Sequence, residues 1–319
     1  MIVAGASPLS VWAAIVPGVF GDPYALGQVV FKATPLVFTG LAVAVALDAG
    51  VFNIGGEGQM VAGGVACAAM GAALPAGTPM VLAVPLCLIA AAIAGGALGA
   101  ATGALKAYRG AHEVIVGILL NAIVAGVVLW LGNAFLFVGD ATATAAIVPG
   151  AELPELGIAG SSASAAVLVA IAAALATWWL VARTTVGLRW RMVGQGPHAA
   201  RAAGLSVARA QVLAMAAAGA LAGLAASSSV LGYRHAYQMG LDRNAGFLGI
   251  AVALLGRGRA VGVVAAALFL GVLQQAGLVV ADQVPRALFD VIQAVIIVAV
   301  AATSPIVRRR LARAPEAAR

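Results

Sequence analysis

One short segment, VFNIGGEGQM at Val51–Met60, concentrates polar side chains that could recognise a solute. Three of its residues carry amide or carboxylate groups: Asn53, Glu57 and Gln59. Three glycines lie between them: Gly55, Gly56 and Gly58. Glycine loses more backbone entropy on ordering than any other residue and tolerates positive φ, so glycines at this density predict a break in a helix.

Apolar runs flank this segment on both sides, which in a membrane protein would place it where hydrocarbon is normally found. A broken helix at that depth needs protein or water to satisfy the freed backbone groups. Polar residues on such a break are typical of a transport pathway. The alternative is an interfacial turn, with Asn53 as N-cap and Glu57 in the first turn of the next helix. The pattern alone leaves both interpretations open.

The composition predicts a polytopic membrane protein. Hydrophobic residues make up 63% of the chain and charged residues 9%, with a mean hydropathy of +1.07, whereas about a quarter of a soluble domain is charged. The net charge of +7 is interpreted as a signal of membrane topology, not of nucleic-acid binding. The 40 glycines predict closely packed helices. We therefore treat residues 1–319 as one transmembrane domain.

The hydropathy pattern predicts an all-α transmembrane helical bundle with roughly eight or nine crossings. A short helix is predicted over 11–20, ahead of the first span. The predicted spans are 33–47, 57–74, 80–105, 113–138, 163–182, 211–231, 246–256, 260–281 and 287–303. The segment 246–256 is too short to cross a hydrocarbon core of about 30 Å, so it is predicted to be a half-helix.

Charges in the loops predict which ends of the spans face the cytoplasm. The segment 183–209 carries five arginines and no acid, and the C-terminal tail 306–319 is also rich in arginine. Cytoplasmic loops carry an excess of Lys and Arg, so both segments are predicted to be cytoplasmic. The other predicted cytoplasmic segments are 106–112 and 257–259. The loop 139–162, with three acids and no Lys or Arg, is predicted outside, as is the N-terminus. Two charges do not follow this pattern: Arg234 and Arg243.

No catalytic or metal-binding constellation stands out in the sequence. Cys67 and Cys87 both fall in apolar runs and are predicted to be small buried hydrophobes. The three histidines are far apart in sequence: His112, His198 and His235. The chain has no P-loop pattern. We therefore predict no enzymatic activity, no metal, no cofactor on this chain and no nucleic-acid partner.

A second informative segment, GQGPHAARAAGLS at Gly194–Ser206, lies in the basic loop 183–209. Pro197 suits the first turn of a helix and Gly204 suits a C-terminal cap. The interior is mostly alanine, which predicts a short helix with a small-residue face that could dock closely into a partner. The alternative is an ordinary connecting helix on the membrane surface.

Four motifs, in order, carry a resemblance to a known family. They are VFNIGGEGQM, HEVIVGILLNAIV at His112–Val124, VGQGPHAARAAGLS, and GFLGIAVALLGRG at Gly246–Gly258. Together they resemble the permease subunits of bacterial ABC importers of the simple-sugar and nucleoside type, within the broader ribose and branched-chain amino-acid permease group. The resemblance covers about residues 8–303. It departs from the family at the N-terminus, where members usually have a further transmembrane helix before the SPL-like segment, here Ser7–Leu9.

The resemblance implies roles for the two segments described above. In the family, NIGxEGQ lies near the transport path, which implies that role for Asn53, Gly55, Glu57, Gly58 and Gln59. The segment matching PHAARAAG is the coupling helix that contacts the ATPase. The residues carried over are Pro197, Ala199, Ala200, Arg201, Ala203 and Gly204. If this helix were not the docking element, Arg257–Arg259 would be the next candidate.

The resemblance also implies the function and the partners. We expect the permease subunit of an ATP-driven importer in the bacterial cytoplasmic (inner) membrane, with nucleosides as the solute. The expected partners are a second homologous permease, an ATPase that holds ATP and Mg²⁺, an extracytoplasmic substrate-binding lipoprotein and the lipid bilayer. The alternatives are a simple sugar or other small polar solute, an ion-coupled secondary transporter that uses Glu57 or Asp290, and a membrane enzyme.

Overall fold

We describe the protein from a computed structural model of the chain. The structure describes residues 8–139, 142–240 and 244–282, together with 291, 293–295 and 298–299. The helices are α1 (Pro8–Phe20), α2 (Pro23–Asp48), α3 (Gly56–Ala73), α4 (Met80–Arg109), α5 (Glu113–Leu131), α6 (Ala166–Arg183), α7 (Thr185–Gln195), α8 (Pro197–Ala202), α9 (Val207–Leu224), the single turn α10 (Ser227–Ser229), α11 (Ala245–Leu255) and α12 (Ala260–Val279). Two π-helical turns follow α5 and α10: Gly132–Leu136 and Val230–Arg234.

The predicted all-α polytopic bundle is confirmed. Six helical segments of the described residues are long and apolar enough to cross a membrane: Pro23–Asp48, Met80–Arg109, Glu113–Leu136, Ala166–Arg183, Val207–Arg234 and Ala260–Val279. The predicted half-helix is confirmed as α11, whose 11 residues rise only about 16 Å. The predicted span 287–303 and the tail 306–319 lie outside the continuously described residues, as do Arg243 and Asp290. The count of eight or nine crossings therefore stays a prediction.

The central helix of the bundle is α2, most of whose residues are buried against α9, α11 and α12. It begins ten residues before the predicted span 33–47. Asp22 is its N-cap, with a side-chain oxygen that accepts a hydrogen bond of 2.9 Å from the Tyr24 N–H, and Pro23 occupies the first helical position. The prediction started too late because Lys32 interrupts the apolar run, and tertiary packing overrides that signal.

Glycines bring α4 and α9 into close contact, as the composition predicts. A Cβ atom on Gly99 would lie 2.1 Å from the carbonyl oxygen of Met215, and one on Gly95 would lie 2.3 Å from that of Gly219. These distances are shorter than any van der Waals contact, so only glycine permits this approach of the two backbones.

Both cysteines are buried, Cys67 on α3 and Cys87 on α4, as predicted.

The predicted break near 51–59 is confirmed, but the glycines do not act as expected. Helix α2 ends at Asp48 and α3 begins at Gly56, so 49–55 is the unwound part. The glycine with a positive φ, of 69°, is Gly50, which comes just before the motif. Within the motif, Gly55 has φ of −70° and is the N-cap of α3. The remaining two glycines of the motif are helical. The N-cap proposed for Asn53 is therefore wrong, since Gly55 holds that position.

Three of the segments predicted to be cytoplasmic, 106–112, 183–209 and 257–259, lie together at one end of the bundle, here called the basic end. Arg191 lines one cavity with Arg257 and Arg259, and a second groove brings Lys106 beside Arg201.

At the opposite end of the bundle, the loop after α5 forms backbone hydrogen bonds with the residues after α10. The Ile147 and Leu153 N–H groups each donate a bond of 2.8 Å, to the carbonyls of His235 and Leu231. Arg234, an exception to the charge pattern, lies over the Tyr233 ring at 4.9 Å.

Candidate functional site

Two side chains of the broken helix pair with each other. The Asn53 Nδ2 donates to Gln59 Oε1 at 2.8 Å, and the Gln59 Nε2 donates to Asn53 Oδ1 at 3.0 Å. Both residues are almost completely excluded from solvent, with exposed fractions of 0% and 1%. The pair joins the unwound segment to the first turn of α3, and it satisfies amides that would otherwise be costly to bury.

Asn121, near the middle of α5, holds the same segment from another side. Its Oδ1 accepts a hydrogen bond of 2.8 Å from the Gly58 N–H, and its Nδ2 donates one of 3.1 Å to the Ile54 carbonyl. One side chain therefore satisfies an unpaired donor at the start of α3 and an unpaired acceptor of the unwound segment. These are backbone groups that a helix break leaves without intrahelical partners.

Glu57 joins the broken helix to the half-helix α11. Its Oε1 accepts a hydrogen bond of 3.0 Å from the Asn244 N–H, and its Oε2 accepts one of 3.0 Å from the Gly246 N–H. The carboxylate therefore lies at the N-terminus of α11, where the free N–H groups and the helix dipole favour a negative charge. The Thr39 hydroxyl donates to the carbonyl of Ala245 at 3.0 Å, which ties the same turn to α2.

Close backbone contacts explain two of the glycines at this junction. A Cβ atom on Gly246 would lie 2.3 Å from the backbone nitrogen of Glu57, and one on Gly58 would lie 2.8 Å from Asn121 Oδ1. A side chain at either position would push the two halves of the site apart. Gly58 and Gly246 therefore serve close packing between the two halves of the site.

These contacts surround a cavity of about 190 Å³. Its polar wall consists of Glu57, Asn121 and the loop 237–240, and its apolar wall includes Met60 and Ala125. The 11 residues of α11 separate the Glu57 end of this cavity from the basic end by about 16 Å along that helix.

The structure separates the predicted pathway residues into two groups. Glu57 faces the cavity, while the side chains of Asn53 and Gln59 face each other behind it. The pathway role of all three residues stays a prediction. Two contributors escaped the sequence analysis, Asn121 and the turn at Asn244. For Asn121, the sequence did contain a signal, which is an amide side chain within the apolar run EVIVGILLNAIV. For Asn244 the sequence contained no signal, because this residue contributes a backbone N–H group.

The helix predicted at Pro197–Gly204 forms as α8. Pro197 occupies its first position, Ala203 is its C-cap, and Gly204 has φ of 79°. Ala199, Arg201 and Ala203 are exposed. Ala200 is only 1% exposed and packs inside the chain against the cluster that contains Trp190 and Val193. A contact between the Ala200 side chain and another subunit is therefore excluded in this conformation, because its own subunit covers it.

A groove of about 760 Å³ runs beside α8 at the basic end. Pro197 and Arg201 form one side and the connection between α4 and α5 forms the other. Across this connection the Lys106 ammonium and the Glu113 carboxylate form an ion pair at 2.5 Å. The groove gives α8 an open surface formed by two separate loops.

Fold and site together define a multi-pass helical membrane protein with a polar cavity at a broken helix, an arrangement typical of membrane transport proteins. Residues 25–301 match the family described as "Branched-chain amino acid transport system / permease component". The chain therefore belongs to this permease family, which confirms the resemblance drawn from its motifs.

Curated relatives are similar over nearly the whole chain. The guanosine ABC transporter permease protein NupP of Bacillus subtilis is 38% identical over 309 residues, covering 95% of this chain and 88% of the relative. The glucose ABC transporter permease protein TsgB13 of Haloferax volcanii is 31% identical, with 93% and 81% covered. The nucleoside ABC transporter permease protein NupB of Lactococcus lactis is 30% identical, with 93% and 84% covered. No solved structure gives a significant match.

Proposed function

We propose that this chain is the translocation subunit of an ATP-driven importer of nucleosides. The observation that carries the proposal is the match, over 95% of the chain, to a relative named as a guanosine permease. A second relative named for nucleosides supports the same solute class. Because one relative is named for glucose, a sugar is the second candidate.

The cavity at Glu57 is the proposed point of passage. Its volume of about 190 Å³ is below the roughly 300–1,000 Å³ of pockets that enclose small-molecule ligands. We therefore assign it as one wall of a pathway that a second homologous permease completes. Glu57 and Asn121 present polar groups to the solute, while the Asn53–Gln59 pair and Gly55, Gly56 and Gly58 fix the shape of the wall.

The proposed coupling to ATP uses α8. Its exposed residues, Pro197, Ala199, Arg201 and Ala203, are assigned to the contact with a separate ATPase subunit, and Gly204 ends the helix. The contact lies at the basic end, which we assign to the cytoplasm because cytoplasmic loops are rich in arginine and lysine. When the ATPase subunits close on ATP, α8 would move with them and the spans would change access from one side to the other.

The remaining parts of the importer follow from this assignment. The complex would comprise two permeases, two ATPase domains and an extracytoplasmic substrate-binding lipoprotein, in a bacterial cytoplasmic membrane. ATP and Mg²⁺ would belong to the ATPase, so this chain would perform no covalent chemistry and hold no cofactor. A cation-coupled mechanism through Glu57 is disfavoured, because that carboxylate already accepts two backbone hydrogen bonds in the described structure.

Uptake by the reconstituted importer tests the function directly. The full complex would be placed in vesicles with ATP inside, and uptake of radiolabelled guanosine would be measured with and without ATP hydrolysis. We expect uptake that requires ATP, and competition by other nucleosides but not by glucose. Competition by glucose, without competition by nucleosides, would identify the chain as part of a sugar importer. Uptake driven by an ion gradient without ATP would overturn the assignment to an ATP-driven importer.

A further inference from the structure

A second large cavity, of about 780 Å³, lies at the basic end of the bundle. It forms where several helices end: Asp48 is the last residue of α2, Arg257 follows α11, and Arg259 is the N-cap of α12. The last turn of α6 closes it. The cavity therefore lies at the ends of the helices, separate from the Glu57 cavity and from the groove beside α8.

The cavity is lined by three arginines, Arg191, Arg257 and Arg259, against one acid, Asp48. The ion pair found among the described residues is Lys106–Glu113. Within that part of the chain, therefore, none of the three arginines of the cavity lies within 4 Å of a carboxylate oxygen. The Nε of Arg191 is buried and has no hydrogen-bond acceptor in the same part of the chain. Buried guanidinium N–H groups normally have an acceptor, so this cavity has the properties of an anion site.

The backbone at Arg257 also indicates a function for its side chain. Arg257 has φ of 52°, in the left-handed region that glycine normally occupies after a helix. The Gly258 N–H donates to the carbonyl of Ala253 at 2.9 Å, which closes the end of α11. Residues held in this conformation at some cost concentrate at ligand sites. Glycine would satisfy the turn with less strain, so the arginine here has a conformational cost that a ligand contact would offset.

Part of the cavity wall is apolar and open to the outside of the chain. Leu47, Leu254 and Val261 line it and are 37%, 44% and 79% exposed. Trp178, also in the lining, is 46% exposed and has the Arg183 guanidinium 5.7 Å from its ring centre. Tryptophan is enriched at the membrane interface. A ligand that suits this site has an anionic group at one end and an apolar body at the other.

We propose that this cavity binds an anionic phospholipid of the cytoplasmic leaflet, with its phosphodiester on Arg191, Arg257 and Arg259 and its acyl chains along Leu254 and Val261. Basic pockets between spans on the cytoplasmic side are suited to such headgroups. An acidic side chain of a soluble partner would match the arginines but not the exposed apolar wall, so the lipid fits both halves of the cavity.

Native mass spectrometry of the full-length chain in detergent tests the proposal. The protein would be titrated with dioleoyl phosphatidylglycerol and, separately, with dioleoyl phosphatidylcholine. We expect the first phosphatidylglycerol to bind at least about tenfold more tightly, because each basic residue near an anionic lipid contributes about a fivefold gain in affinity. Equal affinity for the two lipids would overturn the proposal.

Arg257→Gly is the decisive variant because it removes the guanidinium and relaxes the backbone. It should weaken phosphatidylglycerol binding about fivefold without lowering the unfolding temperature. Arg257→Gly with Arg259→Gln should weaken it further. Arg189→Gln is the matched control, since Arg189 is an exposed arginine on α7 outside the cavity. If Arg189→Gln weakened phosphatidylglycerol binding as much as Arg257→Gly, the lipid preference would be due to general surface charge. That result would overturn the proposed site.

Two further measurements distinguish other occupants. Inorganic phosphate in tenfold excess over lipid should not displace phosphatidylglycerol, because it has no acyl chains for the apolar wall; full displacement would assign the cavity to a free anion. If Arg257→Gly left lipid binding unchanged but abolished co-purification of the ATPase, the cavity would belong to the subunit contact. Either result would overturn the lipid assignment.

Discussion

The side-chain amides of Asn53 and Gln59 exchange two hydrogen bonds, of 2.8 and 3.0 Å, in a position closed to solvent. The two residues are six apart, and the chain between them changes from an unwound segment to a helix. The pair therefore fixes the direction in which α3 leaves the break, and with it the position of Glu57 at the N-terminus of α11.

The Asn53–Gln59 pair can be tested by a double-mutant cycle. Asn53→Ala and Gln59→Ala each leave the other amide buried without its partner, so each should destabilise the protein by about 1–3 kcal/mol. The double variant should cost less than the two single effects together, with a coupling of at least about 0.5 kcal/mol. Unfolding of the purified permease in detergent measures all three. Additive effects would contradict the reciprocal pair.

Glu57 should matter through its hydrogen bonds to the start of α11. Glu57→Gln keeps one carbonyl acceptor but loses the charge, and Glu57→Ala loses both bonds, so uptake per inserted permease should fall for glutamine and further for alanine. Glu155→Gln, at an exposed position in the loop 139–162, is the matched control. Co-purification of the ATPase should be unchanged in all three. Normal uptake by both Glu57 variants would contradict a role for Glu57 in the transport pathway.

Close packing between Gly58 and Asn121 predicts a size limit at the break. In Gly58→Ala the new Cβ would lie 2.8 Å from Asn121 Oδ1, and overpacking of this kind costs about 1–3 kcal/mol. In Gly126→Ala, on the same helix as Asn121, the new Cβ would meet nothing within 4 Å. We expect Gly58→Ala to lower the unfolding temperature and uptake, and Gly126→Ala to raise stability slightly. Equal behaviour of the two variants would contradict the contact.

The two faces of α8 should respond differently to leucine. Ala199→Leu places a large side chain on the exposed face, so the permease should insert normally while co-purification of the ATPase and uptake decrease. Ala200→Leu overpacks the chain's own core, so it should lower the unfolding temperature by the equivalent of about 1–3 kcal/mol. If Ala199→Leu and Ala203→Leu together leave capture of the ATPase unchanged, α8 is not the docking element.

Sidedness can be measured with single introduced cysteines. Gln195→Cys, at the basic end, should resist an impermeant thiol reagent in intact cells, whereas Glu155→Cys, in the acidic loop, should react. Both positions are exposed, and Cys67 and Cys87 are buried, so background labelling should be low. Labelling of Gln195→Cys but not of Glu155→Cys would invert the topology.

The sequence by itself determined the class of fold, the break and the helix α8. A chain with 63% hydrophobic residues cannot be a soluble domain, and apolar runs of about 20 residues must form helices to satisfy their backbone in lipid. Pro197 and Gly204 bracket α8 because their backbone preferences are local. The short run 246–256 indicated a half-helix for the same reason, since length is read directly from the sequence.

Only the tertiary structure decided which side chains meet. Glu57 and Gly246 are 189 residues apart, and Gly58 and Asn121 are 63 apart, so no local pattern could pair them. The burial of Ala200 depended on α7 folding back over it, and the role of Gly58 depended on Asn121, a neighbour that the motif does not contain. Helix formation follows from nearby residues and the solvent, whereas the site is made by contacts between segments that become neighbours only when the bundle packs.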